Sequence, residues 1–412
     1  MIITVKLAWR SLWRNRRRTL ITVSSIAIGT AIAVFFISMA DGMYKKIVDS
    51  AVKMNAGHMT IQDPDYGSAP SIDLYVPSVE AIKKAVDGIE GIALVKTLII
   101  CRAMVATAGG STGAAMIGVD ADVEKTVSPI ADHIVSGRYI RNHDERGVVV
   151  GINLAKRLKI EPGNKLVVTT NDTGGVMVSE MLRVTGIFSS GMEEADGYLV
   201  QVPLDVARRI VRLGPDMSTQ VGLILKDPER TDSVIKEMET RLSGQGVAVL
   251  AWQEIMPDLA SFIAVDKGSN YVFQGIIIFL IGFTILNTIL MSVLERSREF
   301  ATLLAIGTSP GLLRLQVLIE SVFIGIIGTG LGLIIGGGIS YYFQIYGIDM
   351  SSLFTEGLTI TGFAVDPVIR NYLSIGLFIW LGSVVLGMTM LIGIYPAWKS
   401  SRINIPDTLR SR

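Results

Sequence analysis

Four runs of this chain carry no charged residue: TLITVSSIAIGTAIAVFFISMA (19–40), YVFQGIIIFLIGFTILNTILMSV (271–293), SVFIGIIGTGLGLIIGGGISYYF (321–343) and YLSIGLFIWLGSVVLGMTMLIGI (372–394). A hydrocarbon core about 30 Å thick takes roughly 20 helical residues to cross, and each run is long enough. In lipid every backbone N–H and C=O must be paired within the protein, so a run of this kind spans as a helix. Hydrophobic residues make up 50% of the 412, a share too high for most soluble chains. The fold expected is an α-helical membrane protein with four transmembrane helices.

The first run has a basic front, RNRRR at 14–18, and so invites comparison with a cleaved signal. Its apolar stretch exceeds the roughly 7 to 15 residues of a signal, and no small-residue cleavage pattern ends it, so we read a retained anchor. The basic residues instead report topology, because Lys and Arg near span ends gather on the cytoplasmic side. Lys6, Arg10, Arg14, Arg16, Arg17 and Arg18 precede the first run, and Arg296, Arg298 and Arg314 lie between the second and third. Lys399, Arg402, Arg410 and Arg412 follow the fourth, whereas the loop before it sets Asp349, Glu356 and Asp366 against Arg370. Both termini are expected in the cytoplasm, and the long segment 41–270 outside it. The net charge of +1 gives no hint of nucleic acid.

The expected organisation is a cytoplasmic amphipathic segment (1–18), a first span (19–40), an extracytoplasmic domain (41–270) and a second span (271–293). A cytoplasmic loop (294–320), a third span (321–343), a short outer loop (344–371), a fourth span (372–394) and a cytoplasmic tail (395–412) follow. The 41–270 segment alternates strand-like runs, among them GHMTIQD, ALVKTLIICRAMVATAG, GVVVG, NKLVVTT and EMLRVTGIF, with helical ones such as SVEAIKKAVDGIE and PLDVARRIVR. We expect a large α+β domain inserted between the first and second spans, with an inserted subdomain near 120–215. DGMYKKIVDSAVKM after the first span and WQEIMPDLASFIAVDKGSNYVF before the second read as stalk helices.

Catalytic and metal signals are sparse. Cys101 is the single cysteine, and His58, His133 and His143 stand at irregular spacings, so no zinc pattern exists. We assign no catalytic residue and no metal ligand. DPDYGSAPSID has carboxylates but reads as an exposed turn. GTGLGLIIGGG in the third run lacks the strand and soluble βαβ context of a nucleotide loop. Its Gly328, Gly332 and Gly336 recur every four residues, the spacing that lets membrane helices pack closely, within the chain or across a dimer.

The loop LERSREFATLLAIGTSPGLLR joins two spans by charged, amphipathic helix. Phe300, Leu303, Leu304 and Gly307 fall on one stripe, and Glu295, Arg296, Arg298 and Glu299 fill its first part. Such a helix either lies on lipid headgroups or docks a cytoplasmic partner, with small Ala305 and Gly307 permitting close approach. Glu320, at the inner start of the third span, can reach a basic neighbour such as Arg314 and orient this helix.

The run ERSREFATLLAIGTSPGLLRLQVLIES resembles the corresponding loop of the FtsX/MacB-type ABC-transporter permeases, through Glu295, Arg296, Arg298, Glu299, Ala305, Ile306, Gly307, Glu320 and Ser321. The tail YPAWKSSRINIPDTLR is similar to that family's ending, with Tyr395, Pro396, Ala397, Trp398, Pro406, Leu409 and Arg410. AWRSLWRNRRRTLITVSSIAIG and VSGRYIRNHDERGVVVGINLAKRLKIEPGNKLVV also fit. The N-terminal pattern looks like the LolC/LolE-like, lipoprotein-releasing branch.

That resemblance implies a mechanotransmitting permease without ATPase activity of its own. No G-x-x-x-x-G-K-[ST] occurs in the chain. No cofactor is expected on this chain; ATP and Mg would be bound by a cytoplasmic ABC ATPase dimer gripping the coupling helix, at Glu295, Arg296, Arg298, Glu299, Phe300, Leu303, Ala305, Ile306 and Gly307. A second permease, the same chain or a paralogue, is implied, with a lipoprotein or lipid substrate and a periplasmic acceptor at the inner membrane. A lipid cavity is then expected between the first span of one subunit and the second of its partner, where Phe and adaptable Met concentrate beside the stalks, at Phe35, Phe36, Met39, Met43, Val272, Ile276 and Phe279. A MacB-like efflux permease with a periplasmic adaptor, or an FtsX-like regulator of a cell-wall hydrolase, are the alternatives.

Overall fold

A computed structural model describes residues 2–14, 16–190, 193–349, 358–360, 363–365 and 368–402. Pro406, Leu409 and Arg410, the end of the family-like tail, lie outside the described residues. The chain divides into two compact units, one of Met1–Tyr44, Ala264–Met350 and Val368–Arg412, the other of Lys45–Ile263 and Ser351–Pro367.

Among the described residues four helices are long and apolar enough to cross a membrane: Thr19–Met54, Pro257–Glu295, Pro310–Tyr346 and Ile375–Ser400. The first is part of one continuous helix, Arg16–Met54, and both it and Pro257–Glu295 run on past the ends of the uncharged runs as single helices. Met256, at φ −123 and ψ 65, separates the latter from the short helix Trp252–Ile255. Pro257 can open the long helix because its missing N–H lies where no intrahelical partner exists.

Close backbone approach sets how these helices pack. A Cβ on Gly328 would sit 2.7 Å from the Ile26 Cβ, on Gly332 2.6 Å from the Thr30 Cβ, and on Gly336 2.8 Å from the Ala31 Cα. The glycine stripe of the third span therefore lies against the first span of the same chain. Gly29 meets Ile281 of the second span, and Gly282 meets Met388 of the fourth. Gly325 faces Thr389, closing the ring of four in the order first, third, fourth, second. A fifth helix, Ile2–Arg14, buries Ala8 and Leu12. It also sets Trp9 edge-on to Phe323 of the third span, ring centroids 5.4 Å apart.

The second unit is built on a ten-stranded sheet. Its strands are β1 (Met59–Gln62), β2 (Ile92–Thr107), β3 (Gly110–Val119), β4 (Ile134–Gly137), β5 (Gly147–Gly151), β6 (Lys165–Asn171), β7 (Met177–Phe188), β8 (Leu199–Pro203), β9 (Gln220–Leu225) and β10 (Ala248–Ala251). They run in the order β10-β1-β9-β2-β3-β8-β5-β7-β4, with β6 bridging β2 and β7. Pairing is antiparallel except for β3 with β8 and β5 with β7. One core gathers β1, β9 and β10 with Ile82 and Met238 from the helices Val79–Val86 and Thr231–Arg241. Another lies around β5 to β8 with Leu154 and Ile210 from the helices Ile152–Leu158 and Leu204–Val211. The residues expected as an inserted subdomain thus share one sheet with their neighbours, because the long β2 pairs with β9 at its start and with β6 near its end.

The strand β3 is absent from the sequence expectation. Its residues, GSTGAAMIGV, have little β-branching, and Gly118 is required there because a Cβ would lie 2.3 Å from the Ala207 Cβ.

Candidate functional site

The loop between the second and third spans begins where the helix Pro257–Glu295 stops. Arg296, at φ −96 and ψ 10, interrupts it, and a new helix runs over Ser297–Ala305. Gly307 ends this helix at φ +97, a left-handed value that suits glycine. The Gly307 N–H bonds the Leu304 carbonyl at 3.1 Å and the Thr308 N–H bonds the Leu303 carbonyl at 3.0 Å, the paired bonds that close a helix on a left-handed glycine. Pro310 then occupies the first turn of the third-span helix after Ser309, where its fixed φ favours helix initiation.

Ion pairs tie this helix and its leading Arg296 to two other segments. The Arg14 guanidinium from the N-terminal helix donates to Glu299. Arg296 Nε donates to Glu299 Oε2 at 3.3 Å, and Arg296 Nη1 donates to Glu320 Oε2 at 3.0 Å. Arg296 also lies over the Phe300 ring, 4.9 Å from its centroid. Arg296 and Glu320 keep only 13% and 8% of their side chains exposed, so this link is shielded from water. The bond from Arg14 holds the Glu299 carboxyl below the usual carboxylate range, against a smaller opposing effect of burial.

These contacts revise two expectations. Glu320 pairs with Arg296 and not with Arg314, which donates to Ser401 Oγ at 2.7 Å. Six helical residues separate positions 314 and 320, which turns their side chains to different faces. The apolar stripe also faces inward: Phe300 is 1% exposed, and Leu303 and Leu304 pack on the same core. What the loop presents outward is Arg298, Thr302, Ala305, Ile306 and Gly307, with Ile306 76% exposed. Glu295 and Glu299 are exposed beside them.

The seven residues expected at a lipid cavity lie on the first and second long helices. Phe36, Val272, Ile276 and Phe279 are exposed along the first and second spans, while Met39 and Met43 are half-buried. Phe35 meets Phe343 of the third span edge to face at 5.7 Å. The concave surface lies on another side of the same helices. A cleft of about 450 Å3 opens among the first, second and fourth spans, and none of those seven residues lines it. Ile37, Ala40, Asp41 and Tyr44 contribute from the first helix, and Lys267, Asn270, Tyr271 and Gln274 from the second. Both sets follow the i, i+3, i+4, i+7 spacing of one helix face. That polar recurrence at the span ends was the available signal.

Three comparisons bear on these elements. A family described as MacB-like periplasmic core domain matches residues 19–241, and one described as FtsX-like permease C-terminal matches residues 271–405. A protein named lipoprotein-releasing system transmembrane protein LolC from Xylella fastidiosa is 25% identical, covering 99% of this chain and 98% of its own. Another of that name, from Neisseria meningitidis serogroup B, is 21% identical over 95% of this chain and 94% of its own. The solved periplasmic region of MacB from Actinobacillus actinomycetemcomitans covers 52% of this chain and 98% of its own, at 13% identity and a TM-score of 0.37.

Proposed function

Because the chain belongs to the FtsX/MacB family of ABC-transporter permeases, we propose that it lets a separate cytoplasmic ATPase dimer drive lipoproteins or lipids out of the outer leaflet of the inner membrane. The observation that carries the coupling half of this reading is the loop helix. Arg14 and Arg296 pair with Glu299, Arg296 reaches the shielded Glu320 as well, and the exposed end of the helix offers Ala305, Ile306 and Gly307. A rigidly held element with a small-residue, apolar tip suits docking into a groove of a partner. The cargo half rests on the end-to-end likeness to chains named for lipoprotein release.

In this mechanism ATP and Mg belong to the ATPase, and a second permease, the same chain or a paralogue, completes the membrane part. Each acyl methylene leaving the bilayer costs about 0.8 kcal/mol. Extraction therefore needs a driven conformational change, and passive exchange would not suffice. Termini on the cytoplasmic side place the loop helix where the ATPase can reach it. A periplasmic acceptor would take the cargo.

Ile306→Glu tests the coupling half, since it puts a charge on the exposed tip and leaves the inward packing alone. In the reconstituted complex we expect lipoprotein-stimulated ATP hydrolysis to fall by about tenfold or more, with the melting temperature unchanged. Undiminished stimulation would remove the loop from the coupling pathway.

A further inference from the structure

We propose that the cleft among the first, second and fourth spans is a binding site for the headgroup of a zwitterionic aminophospholipid, with Lys267 taking the phosphate and Asp41 the ammonium. This site is separate from the cargo reading above and stands whatever the transported molecule is.

Depth is the first argument. Asp41 and Tyr44 follow directly on the first uncharged run, and Lys267 and Asn270 directly precede the second. Ser374, from the start of the fourth, lines the same cleft. These positions mark the layer where span ends meet headgroups. Tyr271 is 64% exposed there, and Tyr341, Tyr342 and Tyr346 are exposed at the matching end of the third span. Aromatic side chains of this kind gather at the membrane interface.

Shape and charge are the second. A volume of about 450 Å3 is within the range of small-molecule sites. Ile37, Leu377 and Trp380 line its part nearer the bilayer centre, where glycerol and the first acyl carbons would lie. Among the described lining residues, Asp41 and Lys267 are the charged pair. Asp266 is already committed: the Tyr44 hydroxyl donates to its carboxylate, and Asn270 Nδ2 donates to the same oxygen at 3.3 Å. That arrangement fixes the Tyr44 ring, over which the Lys267 ammonium lies 5.4 Å from the centroid. One ammonium and one carboxylate facing a single cleft match a headgroup that carries phosphate and amine together. Phosphatidylglycerol lacks the amine, and the choline group of phosphatidylcholine offers no N–H to the carboxylate. Ser374 also caps the fourth-span helix, accepting the Leu377 N–H at 3.2 Å, so the positive end of that helix lies at the cleft, where it favours an anion.

The test is lipid retention by the full chain, purified from nanodiscs of equal phosphatidylethanolamine, phosphatidylglycerol and phosphatidylcholine, and read by native mass spectrometry. Wild type should retain phosphatidylethanolamine preferentially. Lys267→Gln should lower that retention about tenfold, the worth of one charge-assisted contact. Asp41→Asn should keep bound lipid but lose the preference. Phe283→Ala and Met291→Ala, exposed positions of the second span outside the cleft, should behave as wild type. Equal retention by the cleft variants and wild type, or a wild-type preference for phosphatidylglycerol, would overturn the proposal. Far-ultraviolet dichroism and gel filtration of each variant separate lost binding from lost folding. If Lys267→Gln fails there, Asp41→Asn decides alone, since it preserves size and should still change which lipid is kept.

Discussion

Lys96 is the largest wholly buried side chain among the described residues, and it stands in the middle of a strand. Its ammonium donates to the carbonyls of Lys53 and Asn55 at 2.9 and 3.0 Å and pairs with Glu124 at 3.0 Å. Those carbonyls belong to the end of the helix Arg16–Met54, where backbone acceptors lack intrahelical donors. Lys96 thus ends a helix from the side, with Glu124 balancing its charge at 2% exposure. Removing one partner leaves a buried charge without compensation. Lys96→Met is expected to cost about 3 to 5 kcal/mol, whereas Lys96→Met with Glu124→Leu should recover much of the loss. Urea unfolding of the full chain in nanodiscs checks this, and a double variant as unstable as the single would show that the pair is not the cause. Nothing in ALVKTLII betrays a buried lysine, since its partners lie far away in the sequence and a charge in a strand ordinarily marks a solvated face. The pairing of Glu320 with Arg296 was hidden for a related reason: sequence proximity favoured Arg314, while helix geometry turned it away.

At the scale of elements, periodicity read well where the local pattern and the burial agree. The helix over SVEAIKKAVDGIE is capped by Ser78, whose Oγ accepts the Ala81 N–H at 3.1 Å, and the strands GVVVG and EMLRVTGIF lie within β5 and β7. The loop helix was legible as an element, but not in its facing. A stripe of Phe300, Leu303 and Leu304 reports only that something apolar covers it, and the cover is the chain's own spans. Glycine spacing in the third span carried more information, because only a closely approaching backbone explains three such gaps on one face. Gly332→Val should therefore separate the first and third spans and lower the melting temperature by several degrees, as steric overlap in packed interiors does. Gly338→Val, with nothing within 4 Å of its built Cβ, should be tolerated. Equal melting temperatures for the two variants would mean that the stripe is not a packing surface.

For the whole molecule, four uncharged runs and one long intervening segment were enough to anticipate spanning helices around a large α/β insertion. The continuous sheet joining both parts of that insertion was less legible, since it depends on the glycine-rich β3 and on the length of β2. Acyl chains bind apolar surface of a kind that many spans expose. The central claim is therefore tested on the assembled complex. The chain would be co-expressed with its ATPase and partner permease, purified into nanodiscs without nucleotide, and its co-purifying molecules identified by mass spectrometry before and after ATP. Driven extraction predicts acylated proteins enriched over an Ile306→Glu complex and released by ATP. A soluble hydrolase or a periplasmic adaptor in their place, with no lipid-modified cargo, would contradict it.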